Sequence, residues 1–166
     1  ENELSKQAEV EMNPVTNGPL VDESLETNIE GVFACGNVLH VHDLVDYVSE
    51  EAAMAGKNAA HYVKERYGKE VAKSTDVIDI KAVEGARYTV PTTIHLDSMA
   101  DLLTVRFRVA DVFKDSYISV YFNDERVQHR RKQVMAPGEM EQIILKKKAL
   151  EEFEGLKTIT VKIEKE

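Results

Sequence analysis

The passage Gly31-Val32-Phe33-Ala34-Cys35-Gly36-Asn37 concentrates residue types that hold a ligand. A short apolar run bounded by glycines reads as a buried strand of the kind found in a parallel sheet. Gly36 lets a ligand approach the backbone closely, and Asn37 can both donate to and accept from hydroxyl groups. A helix follows within a few residues, and its first N–H groups present partial positive charge to an anionic or carbonyl ligand atom. Spacing alone is met equally by an ordinary strand–loop–helix turn.

Just beyond lies His40-x-His42-Asp43, two imidazoles and a carboxylate that could supply three metal ligands if a loop converged them. His61, His95 and His129 are scattered, no cysteine cluster accompanies them, and no metal is assigned. A loop lining a ligand pocket or a subunit contact is the preferred reading. Cys35 is the single cysteine and sits in the apolar run, where it reads as a structural thiol. Ser49 lacks a Gly-x-Ser-x-Gly context, and Ser116 and Ser119 fall in strand patterns. Glu50 and Glu51 read as a solvated outer helix face. No catalytic residue is assigned.

These residues need elements to position them. Residues 1–30 are polar and turn-rich, with Asn13-Pro14, Asn17-Gly18 and Pro19 clustered and a short strand expected at Pro19 to Asp22. From about Leu44 to Tyr67 the period is helical, with Leu44, Val48, Ala52, Ala55, Ala59 and Val63 forming one apolar stripe. Asp43 is the expected N-cap and Gly68 the expected C′ residue. The small set Ala52, Ala53, Ala55, Gly56, Ala59 and Ala60 predicts close packing against a sheet or another backbone.

After a polar hinge over 69–76 the pattern turns to strands. They are expected at Val77–Ile80, Tyr88–Val90, Leu103–Val109, Tyr117–Phe122, Arg126–Met135, Gln142–Leu145 and Thr158–Ile163. Asn123-Asp124, Pro137-Gly138 and Gly155 supply the turn signals. Val105, Phe107 and Val109 should face inward and Arg106 and Arg108 outward. Tyr117, Tyr121 and Phe122 read as core and cross-strand packing. The fold class is therefore α+β: a partial α/β piece, strand plus long helix, over 1–70, then an immunoglobulin-like antiparallel β-sandwich over 71–166.

Composition narrows the function classes. The 166 residues are 43% hydrophobic with one cysteine, which excludes a disulfide scaffold and points to a reducing, cytoplasmic setting. No apolar run is long enough for a membrane span. Residues 1–70 hold five Lys and Arg against fourteen Asp and Glu, whereas 71–166 hold sixteen of each. An acidic surface repels phosphate backbones, so no nucleic-acid partner is expected. The basic runs His129-Arg130-Arg131-Lys132 and Lys146-Lys147-Lys148 read as solvated strand and loop faces. The chain opens at Glu1 without Met, which suggests a fragment or processed product.

Thr27 followed by Gly31-Val32-Phe33-Ala34-Cys35-Gly36-Asn37 resembles the second flavin-binding motif of the pyridine nucleotide–disulfide oxidoreductase family: Thr, a short gap, then Gly-(Ile/Val)-(Phe/Tyr)-Ala-x-Gly-Asp. The helix carrying Ala55-Gly56 and Ala59-Ala60 is similar to the one that follows this motif in thioredoxin reductase-like members. More narrowly, Asn13-Pro14-Val15-Thr16 and Phe33 through Glu51 resemble bacterial FAD-dependent oxidoreductases associated with glycerol-3-phosphate dehydrogenase-like proteins. The resemblance covers residues 1–67.

It implies a cofactor-binding set of Gly36, Asn37, Val38, Tyr47 and Val48. Gly36 would lie against the FAD ribityl-phosphate region. Asn37 stands where the family has Asp, and its amide makes the ribityl bond without the charge. The backbone at Tyr47-Val48, or equally at Leu44-Val45, would face the flavin pyrimidine edge. His42 is a candidate to polarise the flavin or its substrate. No Gly-x-Gly-x-x-Gly and no Cys-x-x-Cys occur. The resemblance thus implies the C-terminal portion of an FAD-dependent, NAD(P)-linked oxidoreductase, with the NAD(P) domain elsewhere. Its partners would be a redox protein or dehydrogenase subunit, or a second copy in a homodimer. The alternative is a non-catalytic protein-interaction β-sandwich with an N-terminal docking arm.

Overall fold

The computed structural model describes residues 2–69 and 74–166. They form two compact units, Glu1–Thr75 and Asp76–Glu166, within a mixed α+β class. The boundary expected at 70/71 lies outside the described residues.

In the first unit α1 spans Glu3–Gln7, a 3₁₀ turn spans Gly36–Val38, and α2 spans Val45–Glu65. The buried strand expected over 31–36 is not formed. Phe33 makes one isolated antiparallel bridge to Glu26, and the short strand expected at 19–22 is a single bridge between Met12 and Pro19. A ladder needs consecutive pairs, and these segments meet at one pair each. The run is also only partly covered, since Val32 is exposed and Ala34 and Gly36 are buried.

What holds this unit together is a small apolar core threaded with buried polar groups. Val10, Val21, Leu25, Ala34, Leu39 and Ala55 are buried beside Asp22, Glu26, His40 and Glu51. Buried polar atoms are tolerated where they are bonded, as the Asp22 and Glu26 carboxylates are. Asp22 Oδ1 accepts the N–H groups of Ser24 and Glu26 at 2.9 and 3.1 Å. Glu26 Oε1 accepts the Gly31 N–H at 2.7 Å, and its Oε2 meets Arg66 at 2.9 Å. Gly18 is required by close approach: a Cβ there would lie 2.0 Å from the Leu39 carbonyl oxygen.

Helix α2 differs from its expected placement in two respects. Its N-cap is Leu44, extended and without a side-chain cap bond, instead of Asp43. Its buried face carries Glu51 and Ala55, while Leu44, Ala52 and Val63 of the expected stripe are exposed. The helix is fastened by polar groups, which apolar periodicity cannot register. Glu51, Asn58 and Arg66 recur at about two-turn spacing; Asn58 donates to the Ser24 carbonyl at 2.7 Å, and Arg66 bonds Glu26. Gly68 (φ +72°) lies two residues past the C-cap Arg66, in the turn that follows.

The second unit comprises β1 (Val77–Ala82), β2 (Ala86–Val90), β3 (Thr93–His95), β4 (Leu102–Val109), β5 (Phe113–Phe122), β6 (Glu125–Met135), β7 (Glu141–Lys146), α3 (Lys147–Glu151) and β8 (Thr158–Glu164). A five-stranded sheet runs β3-β1-β8-β5-β6 and a three-stranded sheet runs β2-β4-β7. All seven expected strands form; β3 and α3 were not anticipated. The sheets are mostly antiparallel, but β1 pairs β8 in parallel, from Asp79 opposite Thr158 to Ala82 opposite Val161. That pair joins the first and last strands, whose separation in sequence frees them from hairpin geometry.

Alternate residues of both sheets fill one core, with Ile94, Val105, Phe107, Val120, Met135, Ile159 and Val161 fully buried. Arg106, expected outside with Arg108, is 5% exposed on the central strand of its sheet. Asn123 turns β5 into β6 at φ +49°, and its Oδ1 accepts the Lys157 and Thr158 N–H groups. Strand β6 is an edge strand, exposed from Glu125 to Arg131 and dense in charge, which discourages edge-to-edge pairing. Among the described residues no helix is long and apolar enough to cross a membrane.

Candidate functional site

The residues singled out in the sequence gather where the 3₁₀ turn meets α2. Cys35 is extended, and Gly36 then turns at φ +68°, a backbone state that favours glycine. A Cβ on Gly36 would lie 3.3 Å from Val48 Cγ1, so the turn packs directly on the helix. Asn37 is exposed, and its Oδ1 accepts the His42 N–H at 3.1 Å, closing the loop on itself. The Val38 carbonyl is turned inward to accept from Asn2 at 3.1 Å. Tyr47 and Val48 are half-buried in the first turn of α2, whose N-cap residue Leu44 makes no side-chain cap bond.

The strongest feature is one the sequence did not disclose. Glu51, expected on the solvated face, is 1% exposed and sits at the centre of a buried cluster. Its Oε1 lies 2.9 Å from His40 Nε2, and its Oε2 lies 3.1 Å from His42 Nε2. The same Oε2 accepts the Gly36 N–H at 2.8 Å. Both imidazole rings are themselves buried and pack edge to face with centroids 4.4 Å apart. Successive helical residues point about 100° apart, so Glu50 reaches solvent while Glu51 reaches inward. The signal available was position: Glu51 follows Val48 by three residues and precedes Ala55 by four.

Burial pushes the Glu51 carboxyl up, but the His40 hydrogen bond and charge, the Gly36 N–H and the His42 charge together hold it below its ordinary value. An anionic carboxylate inside two imidazoles is the result. Neighbouring Cys35 is shifted the other way: burial first, then the Glu51 charge, raise its thiol above the ordinary value. A thiol kept protonated is a poor nucleophile, in line with a structural role. Asp43, adjacent to His42 in sequence, is not the carboxylate that converges on the two rings.

In the second unit Ser119, His129 and Glu164 also come together. Ser119 Oγ is 2.8 Å from His129 Nδ1, and Glu164 Oε2 is 3.9 Å from that same nitrogen. A serine relay needs the hydroxyl and the carboxylate on opposite ring nitrogens, so this is a cross-strand polar network. Tyr117 stacks on His129 at 4.0 Å, and Tyr121 donates to Glu164 at 3.0 Å. Of the three aromatic residues expected to pack, Phe122 enters the core and the two tyrosines serve cross-strand contacts.

A groove of about 310 Å³ lies beside β6, β7 and α3, lined by Phe122, Val127, Ile144, Ala149 and Phe153 with Lys146 at its rim. Comparison with protein-family models, curated proteins and solved structures found no match to this chain.

Proposed function

We propose that the first unit supplies one wall of the flavin site of an FAD-dependent, NAD(P)-linked oxidoreductase, the chain being the C-terminal portion of that cytoplasmic enzyme. The observation that carries this reading is the left-handed, buried Gly36 turn packed against Val48 at the start of α2. A glycine turn beside the start of a helix, where the dipole is positive, suits an electron-rich ligand that approaches backbone closely. The residues present therefore fit a flavin.

When bound, the flavin supplies hydride and electron chemistry between the nicotinamide and a partner redox protein, dehydrogenase subunit or small substrate. The chain's own residues hold and polarise it. Gly36 admits the ribityl-phosphate region. Asn37, with Oδ1 engaged by His42, offers its NH₂ to a ribityl hydroxyl. The backbone at Tyr47-Val48, or at Leu44-Val45, would stabilise negative charge at the pyrimidine edge. Val38 and Val48 back the turn. The second unit is an immunoglobulin-like accessory sandwich in this reading, available for self-association.

Titrating FAD with the full chain and following flavin fluorescence tests this. Saturable quenching with a Kd of about 1 mM or tighter (roughly −4.1 kcal/mol) is expected. Gly36→Val should weaken it at least about tenfold, Asn37→Ala less. Absence of quenching by a folded native chain overturns the reading.

The apolar groove favours the alternative of a protein-interaction sandwich. It predicts that partner capture survives Gly36→Val and is lost on Ile144→Asp.

A further inference from the structure

We propose that His40, His42 and Glu51 form a binding site for a divalent transition-metal ion of the zinc type. This goes beyond the flavin reading and does not depend on it. One ligand atom from each residue lies within 4.8 Å of the other two, and the two His–Glu contacts are 2.9 and 3.1 Å. Ligands on one zinc sit at about 2.0–2.2 Å from the ion, which puts neighbouring ligand atoms roughly 3–4 Å apart. The cluster therefore reaches metal geometry with side-chain shifts of about an ångström or less, and no backbone rearrangement is needed.

Donor chemistry selects the ion. Two imidazole nitrogens and one carboxylate suit zinc, cobalt or ferrous iron; calcium and magnesium take oxygen shells. The surroundings already position Glu51 and the loop that carries the imidazoles. Gly36 N–H fixes Glu51 Oε2, Asn37 fixes the backbone of His42, and α2 holds Glu51 on its inward face. Such outer contacts orient ligands ahead of binding.

The exchange involves no electron transfer. In the free site each Nε2–H donates to Glu51. On binding, each ring releases its Nε2 proton to solvent and takes one back at Nδ1, a change of tautomer with no net proton release. The Nε2 lone pair then reaches the cation, and Glu51 trades two N–H donors for the ion. Three protein ligands leave the fourth position of a tetrahedral ion to water.

The test is titration of metal-free full chain with Zn²⁺ by calorimetry and with Co²⁺ by visible absorption. One equivalent should bind with a Kd of about 1 µM or tighter, and Co²⁺ should develop the intense ligand-field bands of low coordination. Mg²⁺ and Ca²⁺ should not compete. His42→Ala should weaken Zn²⁺ by more than the roughly 100-fold that loss of an outer partner costs, and His61→Ala, on the exposed face of α2, should leave it unchanged. In the native chain, Zn²⁺ should shift the ring nitrogen signals of two of the five histidines, a readout that holds even if a variant fails to fold. No saturable binding up to about 1 mM, binding unchanged in His42→Ala, or shifts at His61, His95 or His129 instead, each overturns the proposal and leaves the cluster a hydrogen-bonded triad only.

Discussion

Glu51 Oε2 accepts the backbone N–H of Gly36 at 2.8 Å across a separation of fifteen residues. That bond ties the turn that begins the candidate site to the helix that backs it. The carboxylate is also the hub for His40 and His42, so one side chain sets the position of the whole loop from Gly36 to His42.

Removing that hub should be costly. Glu51→Ala leaves a buried N–H and two imidazoles without their carboxylate, a class of change worth about 3–5 kcal/mol. Hydrogen exchange at the Gly36 amide should accelerate sharply while the β4 amides of the second unit stay protected. Equal exchange at Gly36 in native and variant chains would refute the role given to Glu51.

A second buried carboxylate works at the other end of α2. Glu26 bonds the Gly31 N–H and Arg66. Glu26→Ala leaves the Arg66 guanidinium with only the more exposed Glu30 carboxylate at 3.3 Å and the Gly31 N–H without its acceptor, and should cost about 1–3 kcal/mol. Arg66→Lys should recover part of what Arg66→Ala loses, measured by the urea midpoint of the first unit.

Glycine positions separate steric need from conformational need. Gly18→Ala drives a Cβ into the Leu39 carbonyl and should unfold the first unit. Gly68→Ala meets nothing within 4 Å and carries only its left-handed φ of +72°, so about 1–2 kcal/mol is expected. Circular dichroism melts of the two variants should differ accordingly.

Acid should weaken the second unit through Glu164. The Ser119 hydrogen bond, then Lys162 and Tyr121, outweigh burial and hold its carboxyl down at about 2, from an ordinary 4.5. A carboxyl depressed in the fold stabilises above its unfolded pKa and loses that contribution as pH falls. The loss should therefore run from about 4.5 down to about 2. Glu164→Gln should be less stable at neutral pH and converge with the native chain near the lower limit; parallel stability curves would exclude this.

Cys35 offers a chemical readout of the same charge that holds the loop. With its thiol raised by burial and by Glu51, alkylation at mildly alkaline pH should be slower in the native chain than in the denatured one. Glu51→Gln should speed it while the chain stays folded.

Sequence alone determined what depends on local pattern. Strands β1, β2 and β4 to β8 follow from period-two alternation and turn residues such as Asn123, and α2 from its helical repeat. That the run ends at Gly36 ahead of a helix was legible, because glycine punctuates local structure. Tertiary structure decided everything that joins residues far apart or of unexpected polarity. Phe33 found only one bridging partner, which no property of its own run could reveal. The parallel pairing of β1 with β8 depends on bringing distant strands together. Above all, α2 turned polar residues inward: Glu51 and Asn58 satisfy a backbone N–H and a carbonyl of the first unit's loops, and Arg66 pairs with the buried Glu26 carboxylate.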